Sequence, residues 1–255
     1  MKTRATALNP NNRFQPIATD RDMDDGWYRD PEDEFHPDSV ATEVILENAR
    51  TIISRNSSPD VPFDQSINPY RGCEHACIYC FARPTHAYWD MSPGLDFETR
   101  LIAKPNAAIR LREELDKPGY RVSPIALGVN TDAYQPLERE KKITRQVLEV
   151  LADYQHPVSI ITKGALILRD LDLLSDLASQ GLCSVRVSLT TLSNDLKRSM
   201  EPRTAAPATR LKMIRELSGA GVPTGIILGP VIPFVNDHEI EAILEAAAKA
   251  GATRA

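Results

Sequence analysis

Short apolar segments alternate with amphipathic helical segments along most of this chain. Strands are predicted at 66–70, 125–129, 158–161, 184–189 and 224–228, and helices at 106–117, 138–154, 166–179, 208–217 and 237–250. The helical segments repeat their apolar residues with a period of about 3.6, the period of a helix with one buried face. Consecutive strand–helix units with continuous apolar strands favour a parallel sheet covered by helices. Right-handed crossovers would wind such a sheet into a barrel or part of one.

The predicted fold class is therefore α/β, with a partial (β/α)6 barrel. The chain stops at 251–255, where a sixth strand would begin, so we expect a barrel that is truncated before or within strand six. Residues 1–65 are predicted to form an N-terminal arm, partly disordered because its first 40 residues are rich in Asp, Arg, Asn and Pro and lack any period. Residues 66–255 are predicted to form the core.

Three of the four cysteines lie in one short segment, at Cys73, Cys77 and Cys80, with the spacing C-x3-C-x2-C. Three thiolates can hold three irons of a four-iron cluster and leave the fourth iron open to a small molecule, whereas an electron-transfer cluster normally has a fourth cysteine. Zinc is the alternative, with His75 or His86 as a fourth ligand, although the sequence has no second pair of closely spaced cysteines. The segment follows the first predicted strand, and chemistry in such folds lies beyond the carboxyl ends of the strands.

The composition narrows the class of protein. Of 255 residues, 42% are hydrophobic and 25% charged, which is typical of a globular protein. The net charge of -5 argues against strong non-specific attraction to nucleic acid, although a local basic groove remains compatible with it. There is no apolar run long enough to span a membrane and no apolar core of a signal peptide near Met1. We expect a cytoplasmic protein with reduced thiols.

The cysteine segment resembles the signature of the radical S-adenosylmethionine (radical SAM) superfamily, C-x3-C-x-aromatic-C, with Tyr79 as the aromatic residue. The resemblance covers about residues 66–255. It implies a [4Fe-4S] cluster on Cys73, Cys77 and Cys80, with S-adenosylmethionine (SAM) bound to the open iron. It also implies reductive cleavage of SAM to a 5'-deoxyadenosyl radical, which takes hydrogen from a substrate, and an electron donor of the flavodoxin or ferredoxin type.

A closer resemblance is to a branch of the superfamily near spore photoproduct lyase. The segments that carry it are 68–73, 79–83, 131–138, 162–163, 186–188 and 201–203. Thr131 and Asp132 follow the second predicted strand, where a hydroxyl and a carboxylate can bind the ammonium group of SAM; a helix cap is the alternative role. Lys163 follows the third strand and can pair with the SAM carboxylate, or remain a solvated loop residue.

Three further residues are candidates for SAM binding. Tyr79 can lie near the adenine, Ser188 can hold the ribose, and Arg203 can bind a carboxylate or phosphate. Their alternative roles are a packing aromatic for Tyr79 and a surface salt bridge for Arg203. No residue is assigned to catalysis itself.

The resemblance to spore photoproduct lyase fails at one position. That enzyme carries a cysteine near the end of strand two as hydrogen donor, whereas residues 128–132 here contain no thiol. The fourth cysteine, Cys183, precedes strand four and is expected at the opposite end of the sheet as a packing residue. We predict a radical SAM enzyme acting on an unknown substrate. The alternatives are a nucleic-acid lesion lyase with another hydrogen donor, and a non-catalytic iron–sulfur or zinc module.

Overall fold

The computed structural model of the protein describes residues 4–6, 8–10, 14 and 41–255, so most of the predicted disordered arm lies outside the described residues. The strands are β1 Glu43–Leu46, β2 Ile53–Arg55, β3 Gln65–Ile67, β4 Tyr70–Arg71, β5 Arg100–Ala103, β6 Ile125–Leu127, β7 Val158–Thr162, β8 Cys183–Ser188 and β9 Thr224–Ile227. The helices are α1 Asp96–Thr99, α2 Ala107–Leu115, α3 Glu138–Lys141, α4 Ile143–Asp153, α5 Leu171–Ser179, α6 Asn194–Met200, α7 Pro207–Gly219 and α8 Ile240–Lys249. Short 3-10 helices span Arg83–Trp89, Ala165–Asp170 and Asp237–Glu239.

The main sheet has six strands in the order β2-β3-β6-β7-β8-β9. The last five are parallel to one another, and β2 lies antiparallel at the edge. The predicted α/β class with sequential parallel strands is therefore confirmed. Beyond α8 the backbone stays beside β9, because the Thr253 N–H donates to the Thr224 carbonyl and the Ile226 N–H donates to the Arg254 carbonyl, both at 2.9 Å.

A second, three-stranded sheet in the order β1-β5-β4 flanks the first. In it β1 runs parallel to β5, and β4 runs antiparallel to β5. The division into an arm at 1–65 and a core at 66–255 stays a prediction; in the described residues, β1 and β2 lie before position 66 and pair with strands of the two sheets. Ile52 and Ile53 are buried, and Ile53 pairs with Ile67 of β3, so this part of the chain contributes to the core.

The helix predicted at 138–154 is divided into α3 and α4. Lys142 lies between them in the left-handed region, with φ 53°. The Glu138 carboxylate accepts hydrogen bonds from the N–H groups of Thr144 and Arg145, at 2.9 and 3.3 Å, so it satisfies the first free donors of α4. Helices α2, α4, α5 and α7 bury their apolar faces in one core with the main sheet. Within the described part of the chain, no helix has the length and apolar character needed to cross a membrane.

Candidate functional site

The chain enters the cysteine segment through a tight turn at Gly72. Its φ is +73°, a conformation that favours glycine, and a Cβ there would lie 2.8 Å from both the Leu101 side chain and the Phe97 carbonyl. The Cys73 N–H donates to that same Phe97 carbonyl at 2.9 Å. This tight turn leads into residues Cys73–Cys80, called here the cysteine loop.

The three thiols of the cysteine loop share one small region. Cys73 and Cys77 are buried and Cys80 is partly exposed; Cys73 clusters with Ala82 and Phe97, and Cys80 packs against this cluster. Burial raises the pKa of Cys73, and the nearby Asp132, Cys77 and Cys80 raise it further. Burial likewise raises the pKa of Cys77 to about 12. The thiols of Cys73 and Cys77 therefore favour their protonated form, and metal binding to them would release protons.

Arg83 links the cysteine loop to residues 93–98 by hydrogen bonds and an ion pair. Its Nε donates to the Cys77 carbonyl at 3.1 Å, and its Nη1 donates to the carbonyls of Pro93 and Gly94 at 3.2 and 3.1 Å. Its Nη2 lies 2.5 Å from the carboxylate of Glu98, which is fully buried. Sequence reasoning gave Arg83 no role, although it lies in one of the segments that carry the family resemblance.

Thr131 and Gln135 hold the start of the cysteine loop. The Thr131 hydroxyl donates to the Gly72 carbonyl at 2.6 Å, and the Gln135 amide donates to the same carbonyl at 3.2 Å. The Glu74 N–H donates to Gln135 Oε1 at 3.0 Å. Gln135 is fully buried and was also missed from the sequence. These contacts attach the loop to the segment that follows β6.

Asp132 joins the ends of two strands to the cysteine loop. Its Oδ1 accepts from the Tyr134 N–H at 2.8 Å and the Thr162 hydroxyl at 2.6 Å. Its Oδ2 accepts from the Lys163 N–H at 2.8 Å and lies 3.2 Å from His75 Nδ1. Burial opposes ionisation of Asp132, but His75 and the other donors outweigh it and hold the pKa well below its ordinary value. We call this arrangement the Asp132 hub.

Lys163 and Tyr79 lie together beside Cys77. The Lys163 ammonium is 5.7 Å from the centroid of the Tyr79 ring, within the range of a cation–π contact. Burial lowers the pKa of Lys163, but the nearby acidic groups of Cys77 and Glu201 outweigh burial and raise this pKa above its ordinary value. The Tyr79 hydroxyl donates to the Glu201 carboxylate and lies 3.2 Å from Thr190 Oγ1. Tyr79 is therefore held at both its ring face and its hydroxyl.

Ser188 and Arg203 border the same region. Ser188 is the last residue of β8 and is buried. The Arg203 Nε donates to the Glu74 carbonyl at 2.9 Å, and its Nη2 lies 3.4 Å from the Glu74 carboxylate. The structure thus places all of the residues predicted to bind SAM around the cysteine loop or at the carboxyl ends of strands: Tyr79, Thr131, Asp132, Lys163, Ser188 and Arg203.

The other candidates lie elsewhere. Cys183 begins β8 at the amino end of that strand and is buried in the main core, as predicted. His86 packs edge-on against Phe97 behind the loop, with its Nε2 2.9 Å from the Arg100 carbonyl. His75 directs its Nδ1 to the Asp132 hub.

Comparison with known proteins identifies the family. Residues 67–247 match the family model described as the radical SAM superfamily. The chain belongs to this superfamily. An uncharacterised protein of Mycobacterium tuberculosis is 43% identical over 213 residues, which are 83% of this chain and 62% of that protein. An uncharacterised protein of Methanocaldococcus jannaschii is 27% identical over 197 residues, 77% of this chain and 71% of that protein. The chain therefore spans less than two thirds of the length of its mycobacterial relative.

Solved structures of spore photoproduct lyase share the fold. A mutant with bound AdoMet and dinucleoside spore photoproduct has a TM-score of 0.63 and 15% identity, over 82% of this chain and 58% of that one. Spore photoproduct lyase complexed with dinucleoside spore photoproduct has a TM-score of 0.63 and 16% identity, over the same shares. At this identity the likeness shows a common fold.

The donor set of the cysteine loop fits the iron–sulfur cluster that the superfamily implies. Cysteine thiolates are the usual ligands of such clusters, and three lie here on one short loop. Among the described residues, no three His, Cys, Asp or Glu side chains converge as a single metal ion requires. In a [4Fe-4S] cluster, each of the three thiolates would hold a different iron. The Lys163 ammonium beside Cys77 also suits a site that gathers negative charge.

Proposed function

We propose that this chain is a radical SAM enzyme that acts on a substrate still to be identified. Cys73, Cys77 and Cys80 would each hold one iron of a [4Fe-4S] cluster and leave the fourth iron for SAM. When bound, the cluster and SAM supply a 5'-deoxyadenosyl radical that takes a hydrogen atom from the substrate. The observation that carries the proposal is the grouping of three thiols on one loop beside Lys163, where the parallel strands β6 to β8 end.

Lys163, Tyr79 and Ser188 are the residues proposed to contact SAM directly. Lys163 offers a point charge to the SAM carboxylate, and its backbone is fixed by Asp132. The Tyr79 ring offers a face for the adenine, and Ser188 offers a hydroxyl at the end of β8 for the ribose. The positions of all three around Cys77 and the strand ends support these roles.

Thr131, Asp132 and Arg203 are proposed to form the wall behind SAM. Thr131 and Arg203 hold the Gly72 and Glu74 carbonyls, so they fix the loop that would carry the metal. Asp132 is proposed to favour the SAM ammonium by its charge, while its oxygens hold the surrounding backbone. Together these side chains would exclude water from the reacting region.

An electron donor of the flavodoxin or ferredoxin type completes the proposal. Cys80 is partly exposed and is flanked by two exposed apolar side chains, Ile78 at 51% and Phe81 at 76%. Exposed apolar residues next to a redox centre suit the approach of a protein partner. Such a donor, together with free thiols, would place the reaction in the cytoplasm.

Two alternatives remain as second candidates. A nucleic-acid lesion lyase is favoured only by the fold shared with spore photoproduct lyase; the net charge of -5 offers no general attraction to nucleic acid. The thiol that could serve as hydrogen donor is absent from 128–132, and Cys183 lies at the opposite end of β8. A non-catalytic iron–sulfur or zinc module would use the same three cysteines.

Anaerobic reconstitution with iron and sulfide tests the proposal. The wild-type chain should bind about four irons, absorb in the visible range and release 5'-deoxyadenosine when SAM and a reductant are added. Cys77→Ala should lose the cluster and this product. Cys183→Ala is the matched control, a buried cysteine remote from the loop, and should keep both.

Each alternative has its own result. A colourless protein with one zinc would support the zinc module, and a coloured protein that never yields 5'-deoxyadenosine would support the non-catalytic iron–sulfur module. Salt-sensitive binding of DNA by the active protein would favour the lesion lyase. Full iron content in Cys77→Ala would contradict the ligand assignment.

A further inference from the structure

A short segment after α6 runs along the outer side of the cysteine loop. This segment, Met200–Arg203, is called here the bracket. The Ile78 N–H donates to the Met200 carbonyl at 3.0 Å. The neighbouring Tyr79 donates its hydroxyl to the Glu201 carboxylate. One end of the bracket therefore contacts two consecutive residues between the second and third cysteines.

The other end of the bracket holds the first half of the loop. The Arg203 N–H donates to the His75 carbonyl at 3.4 Å, and its Nε donates to the Glu74 carbonyl at 2.9 Å. Both carbonyls lie between the first and second cysteines. The bracket thus binds the loop on either side of Cys77.

Glu201 also connects the bracket to the end of β8. It is fully buried and forms an ion pair with Arg210, whose side chain is only 1% exposed. The Arg210 Nη1 donates to the Ser188 carbonyl at 2.9 Å. One carboxylate therefore contacts Tyr79 directly and Ser188 through Arg210. These are two of the residues proposed to contact SAM; one lies on the cysteine loop and the other at the end of β8.

Hydrogen bonds among three side chains hold the Tyr79 hydroxyl in place. Thr190 donates its hydroxyl to Glu201 Oε1 at 2.9 Å and lies 3.2 Å from the Tyr79 hydroxyl, so three polar groups fix one another. Buried hydrogen bonds to a charged group are stronger than neutral ones, and an anchored ring loses little further freedom when a ligand binds. This arrangement prepares the Tyr79 ring for a ligand before the ligand arrives.

We propose that Glu201 is a positioning residue, which sets the Tyr79 ring at a fixed separation from the end of β8 and so raises the affinity for SAM. The inference rests on the proposed function and adds a residue to it. Glu201 acts through Tyr79 and Arg210 and contacts no thiol in this role. Its contribution should therefore appear in the affinity for SAM more than in the retention of iron.

Tyr79→Phe is the main test, because it keeps the ring and removes only the hydroxyl. The matched control is Tyr120→Phe. The Tyr120 hydroxyl donates to Gln65 Oε1 at 2.7 Å and lies 2.8 Å from His156 Nε2, near the amino ends of β3 and β7. Both variants lose one partly buried hydroxyl with two partners. Only Tyr79 belongs to the cysteine loop.

The measurement is a titration of the reconstituted, reduced protein with SAM, followed by the EPR spectrum of the cluster. Iron content and the thermal unfolding midpoint are measured on the same samples. Tyr79→Phe should keep its iron and bind SAM about tenfold more weakly, the size expected for one lost hydrogen bond to a charged group. Tyr120→Phe should bind SAM as the wild type does.

Glu201→Gln and the double variant Tyr79→Phe/Glu201→Gln test whether Glu201 acts through Tyr79. If Glu201 acts through Tyr79, the affinity of the double variant for SAM should equal that of whichever single variant binds SAM with the lower affinity, because both changes break the same contact. If Glu201→Gln fails to fold, because buried Arg210 then lacks its counter-charge, Thr190→Val takes its place in the cycle.

Two results would overturn the inference alone. One is a Tyr79→Phe protein that binds SAM with wild-type affinity. The other is a Tyr79→Phe protein that loses its iron, since the hydroxyl would then serve only to build the loop. A wild-type EPR spectrum that does not respond to SAM would overturn the proposed function, and this inference with it.

Discussion

The Asp132→Asn substitution replaces one oxygen of the Asp132 hub by an NH2 group and leaves the volume unchanged. The amide oxygen can still accept from the Tyr134 N–H and the Thr162 hydroxyl. The new NH2 group faces two donors, the Lys163 N–H at 2.8 Å and His75 Nδ1 at 3.2 Å. The substitution therefore tests whether the hub stabilises the ends of β6 and β7.

The expected loss follows from counting donors. His75 can change tautomer and accept a hydrogen bond from the new NH2 group. The Lys163 N–H keeps no acceptor, and an unsatisfied buried donor costs about 1–3 kcal/mol. The two remaining bonds lose the assistance of the negative charge, which adds up to about 1 kcal/mol. We expect the free energy of unfolding to fall by about 1–4 kcal/mol.

Urea unfolding, followed by circular dichroism at neutral pH, measures this loss. Asp172→Asn is the control, because that carboxylate pairs with Arg145 but its side chain is 59% exposed. An exposed ion pair contributes about 0–1 kcal/mol. The reasoning would be refuted if the two variants lost the same free energy with unchanged slopes.

Two further predictions concern buried positions near the site. Lys104 is buried beside the Asn68 carbonyl, and burial lowers its pKa from 10.5 to about 8. Between pH 8 and pH 10.5 the unfolded chain therefore binds more protons than the folded chain, so the free energy of unfolding of the wild type rises with pH across that window. Lys104→Met removes the cost of burying the charge, and the stability that this variant gains at pH 7 should shrink by about 3 kcal/mol at pH 10.5. An equal gain in stability at both pH values would contradict this prediction. In Gly164→Ala the new Cβ would lie 2.3 Å from the Tyr134 carbonyl oxygen, so the unfolding midpoint should fall by several degrees, whereas Gly219→Ala, with no atom within 4 Å, should not lower it.

The main sheet was predictable because its parallel strands β6 to β9 carry buried apolar residues and alternate with helices along the chain. The second sheet was not. Its strand β1 has only four residues, none of them fully buried, and β5 follows the single-turn helix α1. Such short elements carry no readable period, and their place is set by pairing with one another. The same holds for the division between α3 and α4, which depends on the Glu138 side chain.

Within the site, features set by adjacent residues could be predicted from the sequence, whereas contacts between residues far apart in the chain could not. The spacing of the cysteines and the turn at Gly72 are properties of adjacent residues. Arg83 was overlooked because its role depends on where two acceptors lie after folding, the carbonyl oxygen of Cys77 and the carboxylate of Glu98. Asp132 was recognised as a polar residue at a strand end, but only the structure shows that four donors surround it. A single sequence gives no measure of such long-range contacts.

The bracket also has a consequence for the order of events during synthesis. Tyr79 and its partner Glu201 are 122 positions apart in the chain. At translation rates of about 5–20 residues per second, the bracket leaves the ribosome roughly 6–25 s after the cysteines. During that interval the three thiols are without their outer cover and open to oxidation. Maturation of the site thus has to wait until the bracket has been synthesised, and oxygen stress during growth should harm newly made chains before finished ones.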